Sequence, residues 1–492
     1  MSKCPIDPRN IQEFLSTMNK KLELPWTPYY SQSGETMTAS PDDTMAYWAL
    51  AATVAFTVLV YSLEGHLDAR QKESYLGTTF PKELEATVSV IDAERAKKDD
   101  SSKPLLPQLK DKFLSSQCYG LDKINFGMIS STYDTTETIF FLLMGYFPYL
   151  WDISASIAAA RFGWSQPEHE IKISLIFLAI TTLVGMMTQL PFELYSTFCI
   201  EKKHGFNKQT MGLFFSDKLK SLLLTIAIGG PFVALLLTII KSGGPYFYLY
   251  VWAFMFSFSV VMMTIVPVVI MPLFNKYEPL PDGTLKTAIY KLADTLNYPL
   301  TKLFVMDGSK RSSHSNAFMF GFGKNKRIVL FDTLMTQVHE DEILAILGHE
   351  LGHWKLGHTL SNFVITQLYF GAAFYIFSLC YTSTELYQAF GFDAGTTPTI
   401  IALLLFFQTI WAPVDKALSF VLTMFSRYNE FGADAFSVGL GMSQKLQSGL
   451  CKIHLENLGA MCPDPWYSMY HYSHPPLVER LSAMMAMDAK KK

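Results

Sequence analysis

Charge is what this sequence has least of. Asp, Glu, Lys and Arg make up 17% of its 492 residues, against about a quarter in an ordinary soluble domain. Half of the residues are hydrophobic and 14% are aromatic. That balance excludes an ordinary water-soluble surface for much of the chain and points to lipid. The charge that is present nearly cancels, at −3 overall. This argues against nucleic acid as a partner, because such a surface needs a basic excess. Cysteine is sparse: Cys4, Cys118, Cys199, Cys380, Cys451 and Cys462 are scattered, with no CxxC pair. The spacing supplies neither a disulfide framework nor a thiolate metal site and reads as free thiols in a reducing compartment. Residues 1–43 are polar and hold no apolar core, so no signal peptide is expected there.

What the chain has instead is long apolar runs. A spanning helix needs about 20 mostly apolar residues, and seven candidates run near 45–63, 132–153, 171–193, 219–241, 246–272, 360–382 and 398–424. The fifth is the cleanest, with no charge between Val251 and Leu273. The second contains Pro148 and Asp152, and the seventh contains Pro413 with Asp415 and Lys416 in its middle. Charges at that depth are costly and must face protein or water; pairing Asp415 with Lys416 is one way to do so. A shorter or broken seventh span is the alternative.

Lysine and arginine orient the runs. Arg70, Lys72, Lys82, Arg95, Lys97 and Lys98 lie between spans one and two, and Lys202, Lys203, Lys208, Lys218 and Lys220 follow span three. The opposite loops carry little beyond Arg161 and Lys241. The positive-inside rule then sets the N-terminal segment, 1–44, on the lumenal side and the C-terminus in the cytosol. Residues 45–275 hold spans one to five with their cytosolic loops, and 360–424 hold spans six and seven.

The stretches 276–359 and 425–492 both fall on the cytosolic side and read as one split α+β domain. Residues 283–296 have a helical pattern, Leu303–Met306 reads as a strand, and Ala317–Phe322 with Arg327–Phe331 reads as a hairpin around Gly323-Lys324-Asn325. Asp341–His358 reads as a helix, with acids at its start and Gly357 near its end. The stretch Glu94–Lys103 is highly charged and expected to be solvated.

The chemistry concentrates in that last helix, which contains His349-Glu350-Leu351-Gly352-His353. Residues four apart share a helix face, so two imidazoles are placed to bind one zinc ion. Glu350 sits beside the first ligand, where a general base for water is needed. A third ligand is missing locally: position 359 is Thr, and His358 on a continuous helix lies about half a turn from His349 and faces away. The best source is Asn429-Glu430-Phe431-Gly432-Ala433-Asp434. There Glu430 would bind zinc and Asp434, four residues on, would accept a hydrogen bond from a ligating histidine. Two surface carboxylates on an amphipathic helix have the same spacing, which leaves both readings open.

Two more clusters stand out. In His471-Tyr472-Ser473-His474-Pro475-Pro476-Leu477-Val478-Glu479-Arg480, His474 suits a donor to the oxyanion of a tetrahedral intermediate, and Arg480 suits a partner for Asp434 or substrate. A surface helix capped at the prolines is the plainer account. Asn316-Ala317-Phe318 leads the hairpin, where an edge strand would hold an extended peptide by strand addition; core packing explains the phenylalanine equally well.

Taken together, His349–His353, Asn429–Asp434, the run Asn316–Leu334, His474–Arg480 and the loop Ile200–Thr210 resemble the type I CAAX prenyl endopeptidases, the integral-membrane zinc proteases related to the a-factor-converting enzyme and the prelamin A protease. The resemblance covers roughly residues 40 to 485. It implies a mainly α, multi-pass membrane protein whose seven or so helices enclose a water-filled chamber, capped on the cytosolic side by a zincin-like catalytic domain. It implies one zinc ion per chain held by His349, His353 and Glu430, with Glu350 as base, His474 as transition-state donor, and Asn316 and Ala317 along the peptide. The implied substrate is a protein with a prenylated C-terminal CAAX sequence, from which the last three residues are removed, in some members with a second cut upstream. The implied home is the endoplasmic reticulum and inner nuclear membrane. Two rivals remain: a zinc protease of membrane quality control that ignores the lipid, and a transporter or channel with a vestigial zinc site, favoured only by Asp415 and Lys416.

Overall fold

The computed structural model describes residues 41–97, 103–321, 323–392 and 397–491. The expected lumenal segment therefore lies almost wholly outside the described residues, as does the centre of the charged stretch, 98–102. The chain begins with α1 (Pro41–Leu76), α2 (Lys82–Lys97), α3 (Leu105–Leu143), α4 (Tyr146–Phe162) and α5 (Gln166–Tyr195). It continues with α6 (Met211–Leu224), α7 (Gly230–Ser242), α8 (Phe247–Ile265) and the single turn α9 (Met271–Phe274).

Among the described residues, six helical stretches are long and apolar enough to cross a membrane: Trp48–Leu76, Glu168–Glu201, Met211–Ser242, Gly244–Phe274, His358–Cys380 and Thr399–Gly439. They fall on the expected spans one and three to seven. Their large apolar side chains, among them Met187, Leu223, Val261 and Leu368, point outward, as a lipid-facing helix requires. The second expected span, 132–153, is not one rod. α3 and α4 meet at 69°, and Gly145 between them takes φ 67°, a left-handed conformation that ends a helix cheaply only without a β-carbon. This bent pair makes the seventh candidate span.

Proline and charge inside the spans are handled locally. Wide turns with one extra residue occupy Thr225–Gly229 and Phe407–Trp411, just before Pro231 and Pro413, and Val266–Ile270, which contains Pro267. Proline has no N–H to donate and crowds the carbonyl four residues back; the wider turn relieves both. Asp415 and Lys416 do not pair with each other, contrary to one expectation. The Tyr369 hydroxyl donates to Asp415 (2.8 Å) and Lys416 donates to Glu64 (2.7 Å). Successive helical residues point about 100° apart, so adjacent charges reach different neighbours.

The remaining elements frame a small sheet. β1 (Tyr277–Pro279), α10 (Thr284–Thr295), β2 (Leu300–Met306), β3 (Ala317–Phe320), β4 (Lys326–Phe331), α11 (Asp332–Gln337) and α12 (Glu340–Lys355) lead directly into α13 (His358–Cys380). After α14 (Thr384–Gln388), α15 (Thr399–Phe406) and α16 (Ala412–Gly439), the chain adds α17 (Ser443–Glu456), α18 (Pro465–His471) and α19 (Leu477–Lys491). The strand order is β1-β2-β4-β3. β3 and β4 form the expected antiparallel hairpin, while β2 and β4 run parallel. Gly321 at the hairpin turn has φ 117°, and a β-carbon there would lie 2.0 Å from the Asn325 carbonyl oxygen, so only glycine fits.

One apolar core unites this sheet with α10, α12, α17 and α19. It also takes in Leu84, Val88 and Ile91 of α2 and Leu105, Leu109 and Phe113 of α3. A helical pair from the loop after the first span is thus part of the same packed unit. A second core, with Phe177, Phe247, Phe377 and Phe406, lies among the spanning helices. Cys118, Cys199, Cys380, Cys451 and Cys462 are free thiols.

Candidate metal centre

Two helices meet at the site, and glycine sets how closely. α12 turns Ile343, Ala345, Leu347 and Leu351 into the core. On the side facing α16 it has Gly348 and Gly352. A β-carbon on Gly352 would come 3.1 Å from Phe436 Cβ and 3.3 Å from Ala433 Cα; one on Gly348 would come 3.1 Å from Met442 Sδ. Those spacings are tighter than ordinary van der Waals contact, so the pair of glycines lets α16 lie against α12. The start of α12 is pinned as well. Glu342 accepts from the His339 amide (2.8 Å), from Ser448 (2.6 Å) and from Lys452 (2.8 Å). Burial would raise its pKa, but Lys452 and Ser448 outweigh that and hold it below the usual carboxylate value.

The close approach brings the three expected ligands together. His349 Nε2 lies 3.2 Å from His353 Nε2 and 3.5 Å from Glu430 Oε2, and His353 Nε2 lies 3.3 Å from Glu430 Oε1. One ligand atom from each of the three residues falls within 4.8 Å of the others. A tetrahedral ion about 2.0–2.1 Å from each nitrogen separates its ligand atoms by about 3.3 Å, which is the spacing found. Glu430 is 4% exposed, and its Oε2 makes no hydrogen bond to any described residue. Its contacts are long ones, His349 Nε2 and Arg480 Nη1 each at 3.5 Å, and a buried carboxylate oxygen without a hydrogen bond is costly and fits a metal ligand. The residues therefore suit a cation held by two imidazoles and one carboxylate.

A second layer holds the first. Asp434 is fully buried. Its Oδ1 lies 2.9 Å from His349 Nδ1, and Arg480 clamps it with two bonds, Nη2 to Oδ1 at 2.7 Å and Nε to Oδ2 at 2.8 Å. Burial would depress the His349 pKa, but Asp434 and Glu430 outweigh it and raise it. Arg480 thus lies beside Asp434, the first of the two partners left open in the sequence.

Glu350 follows His349 on α12, and burial pushes its carboxyl pKa up, as suits a proton acceptor. His474 is exposed, with Nε2 3.4 Å from Glu430 Oε1, so the histidine before the two prolines reaches the same opening. Asn316 is exposed at the start of β3 and its side chain accepts from the Ala317 amide (2.8 Å). Ala317 is buried in the core, so only its backbone can serve a peptide. β3 is the last strand of the sheet, and its free edge is the side on which a further strand would pair.

One expectation fails. His358 does not face away. Its Nδ1 lies 2.8 Å from His353 Nδ1, because α12 stops at Lys355 and Gly357 takes φ 76°. The pair Gly348 and Gly352 was also missed; their spacing of four on the ligand helix was the available signal.

Comparison with known proteins agrees with this geometry. Residues 77–276 match the family profile described as CAAX prenyl protease N-terminal, five membrane helices. Residues 279–488 match peptidase family M48. A protein of Oryza sativa subsp. japonica named CAAX prenyl protease 1 homolog is 48% identical, over 91% of this chain and 100% of its own length. The Homo sapiens protein of the same name is 43% identical over 89% and 95%. CAAX prenyl protease 1 of Saccharomyces cerevisiae is 37% identical over 90% and 97%. The crystal structure of S. mikatae Ste24p superposes with a TM-score of 0.79 at 36% identity, covering 89% of this chain and 99% of that one.

Proposed function

We propose, from the premise that the chain belongs to the CAAX prenyl proteases of peptidase family M48, that it is a zinc-dependent endopeptidase that removes the C-terminal tripeptide from prenylated CAAX proteins. The observation that carries the reading is the convergence of His349, His353 and Glu430, whose buried Oε2 makes no hydrogen bond among the described residues, on one point, with α12 leading into one membrane-length helix and Glu430 near the end of another. A prenyl chain needs hydrocarbon while hydrolysis needs water, and a site at the membrane face serves both. The spans would enclose a chamber between the two. The lysine-rich loops support a cytosolic site; the endoplasmic reticulum membrane, with lipid as its surroundings, is the home the family resemblance implies.

When bound, zinc would polarise the scissile carbonyl and acidify water to a pKa near 7. The chain's own residues supply the rest. Glu350 takes the proton from water and passes it to the leaving amine. His474, at the open side of Glu430, donates to the oxygen that gains charge as the carbonyl becomes tetrahedral. Asp434 and Arg480 keep His349 in the tautomer with Nδ1 protonated. The free edge of β3, from Asn316 onward, pairs with the extended peptide and aligns it past the metal. An upstream second cut would use the same groups on a different stretch of chain.

The test is release of the terminal tripeptide from a farnesylated CAAX peptide by the purified full chain, with and without a zinc chelator. Chelator-sensitive release only from the lipidated peptide is the expected result. Cleavage of unfolded or unlipidated protein alone would replace the substrate with that of a quality-control protease.

A further inference from the structure

The two histidine ligands are supported alike at their far nitrogens. Each turns Nε2 toward the shared point, and each has its Nδ1 within hydrogen-bond distance of a neighbour. For His349 the neighbour is the Asp434 carboxylate, at 2.9 Å. For His353 it is another imidazole, His358, whose Nδ1 is 2.8 Å away. A neutral imidazole has one N–H and one lone pair. If the Nε2 lone pair of His353 is given to an ion, its Nδ1 carries the hydrogen and must donate it. His358 Nδ1 is the acceptor placed to receive it.

The fold goes out of its way to create this contact. Five residues along a continuous helix turn through about 500°, which would leave His358 some 140° round from His353. The left-handed Gly357 ends α12 and restarts the chain as α13, whose first residue is His358. Room for the ring comes from α16. A β-carbon on Gly432, two residues after Glu430, would already touch His358 Cε1 at 3.6 Å and Nε2 at 3.8 Å. The ring planes of His353 and His358 lie at 68°, an edge-on approach rather than a stack.

We propose that His358 is a positioning residue of the metal site, accepting the Nδ1–H of His353 and so fixing the tautomer and ring angle that aim Nε2 at the ion. This rests on the zinc-peptidase reading above. It has a mechanical corollary: His358 opens a membrane-length helix, so the orientation of one ligand is tied to where α13 sits, as Glu430 is tied to α16.

The experiment measures zinc affinity of the full chain in detergent by chelator competition, with zinc alone as the probe. His358→Leu keeps the bulk and removes the acceptor. His358→Asn offers an amide oxygen near the position of Nδ1. Loss of an outer hydrogen-bond partner typically weakens a metal site 10–100-fold, so His358→Leu is expected to raise the zinc dissociation constant by about that factor and His358→Asn by less than about threefold. Helical content and melting of the metal-free forms separate this from misfolding, and are expected to match. Equal affinity of His358→Leu and wild type overturns the proposal, as does a loss in His358→Asn as large as in His358→Leu. Wild-type protein that takes up no zinc overturns the zinc-peptidase reading with it, whereas tight wild-type binding with an indifferent His358→Leu overturns this proposal alone.

Discussion

Asp434→Asn is nearly isosteric, and the geometry fixes what it costs. Asp434 Oδ1 faces both His349 Nδ1 (2.9 Å) and Arg480 Nη2 (2.7 Å), while Oδ2 faces Arg480 Nε (2.8 Å). An amide has one acceptor oxygen. With that oxygen at the Oδ1 position, the new NH2 meets the Arg480 Nε–H donor to donor. Flipped, it faces two donors and loses two bonds. At least one hydrogen bond to a charged group disappears in either pose, at about 1.5–3 kcal/mol, and the buried guanidinium loses its counter-charge. Since 1.4 kcal/mol is tenfold in a binding constant, the zinc dissociation constant should rise about 10–100-fold, in line with other outer-partner losses. Chelator competition on the full chain reads this directly, with tripeptide release measured at saturating zinc. Affinity within about twofold of wild type would mean that Asp434 does not support His349, and the argument from buried geometry would be wrong.

Other outcomes follow from the same contacts. Glu350→Gln should reduce tripeptide release by at least about 100-fold while zinc content stays near one per chain; full activity in that variant ends the proton-transfer role. Gly352→Leu should drive α12 from α16, because even a β-carbon would sit 3.1 Å from Phe436. Overpacking costs about 1–3 kcal/mol, and zinc content measured after purification should fall, whereas unchanged content would show that the glycine contact is not what unites the ligands. Glu342 gives a pH prediction. Its folded pKa lies below the ordinary 4.5, so its contribution to stability is present above that value and is lost as pH falls through the folded pKa. Wild type should melt above Glu342→Gln at neutral pH, with the gap closing below about pH 4.5; a gap independent of pH refutes the assignment.

Much of this was legible from sequence because the signals are short-range. A membrane span is a run of apolar residues, and six of the seven expected runs coincide with single helical stretches. The i, i+4 spacings of His349 with His353 and of Glu430 with Asp434 survive because both pairs lie inside uninterrupted helices, α12 and α16. Two of the misses have a common cause, a local break that periodicity cannot register. Gly145 bends the second run, and Gly357 swings His358 back onto His353, where extrapolating the helix sends it elsewhere. The packing of Leu84, Val88, Ile91 and Phe113 into the sheet-bearing core depends on contacts hundreds of positions apart, for which a polar loop segment gives no sign.

The order of the ligand helices along the chain also bears on the protein's birth. His349 and His353 precede α13, and Glu430 follows only after the chain has gone into the bilayer on α13 and returned on α15 and α16. While the chain is being made, the two histidines emerge with no carboxylate to complete the set, and Asp434 and Arg480 arrive later still. On the proposed ligand set, the metal site is complete only after the chain has passed through α13, α15 and α16.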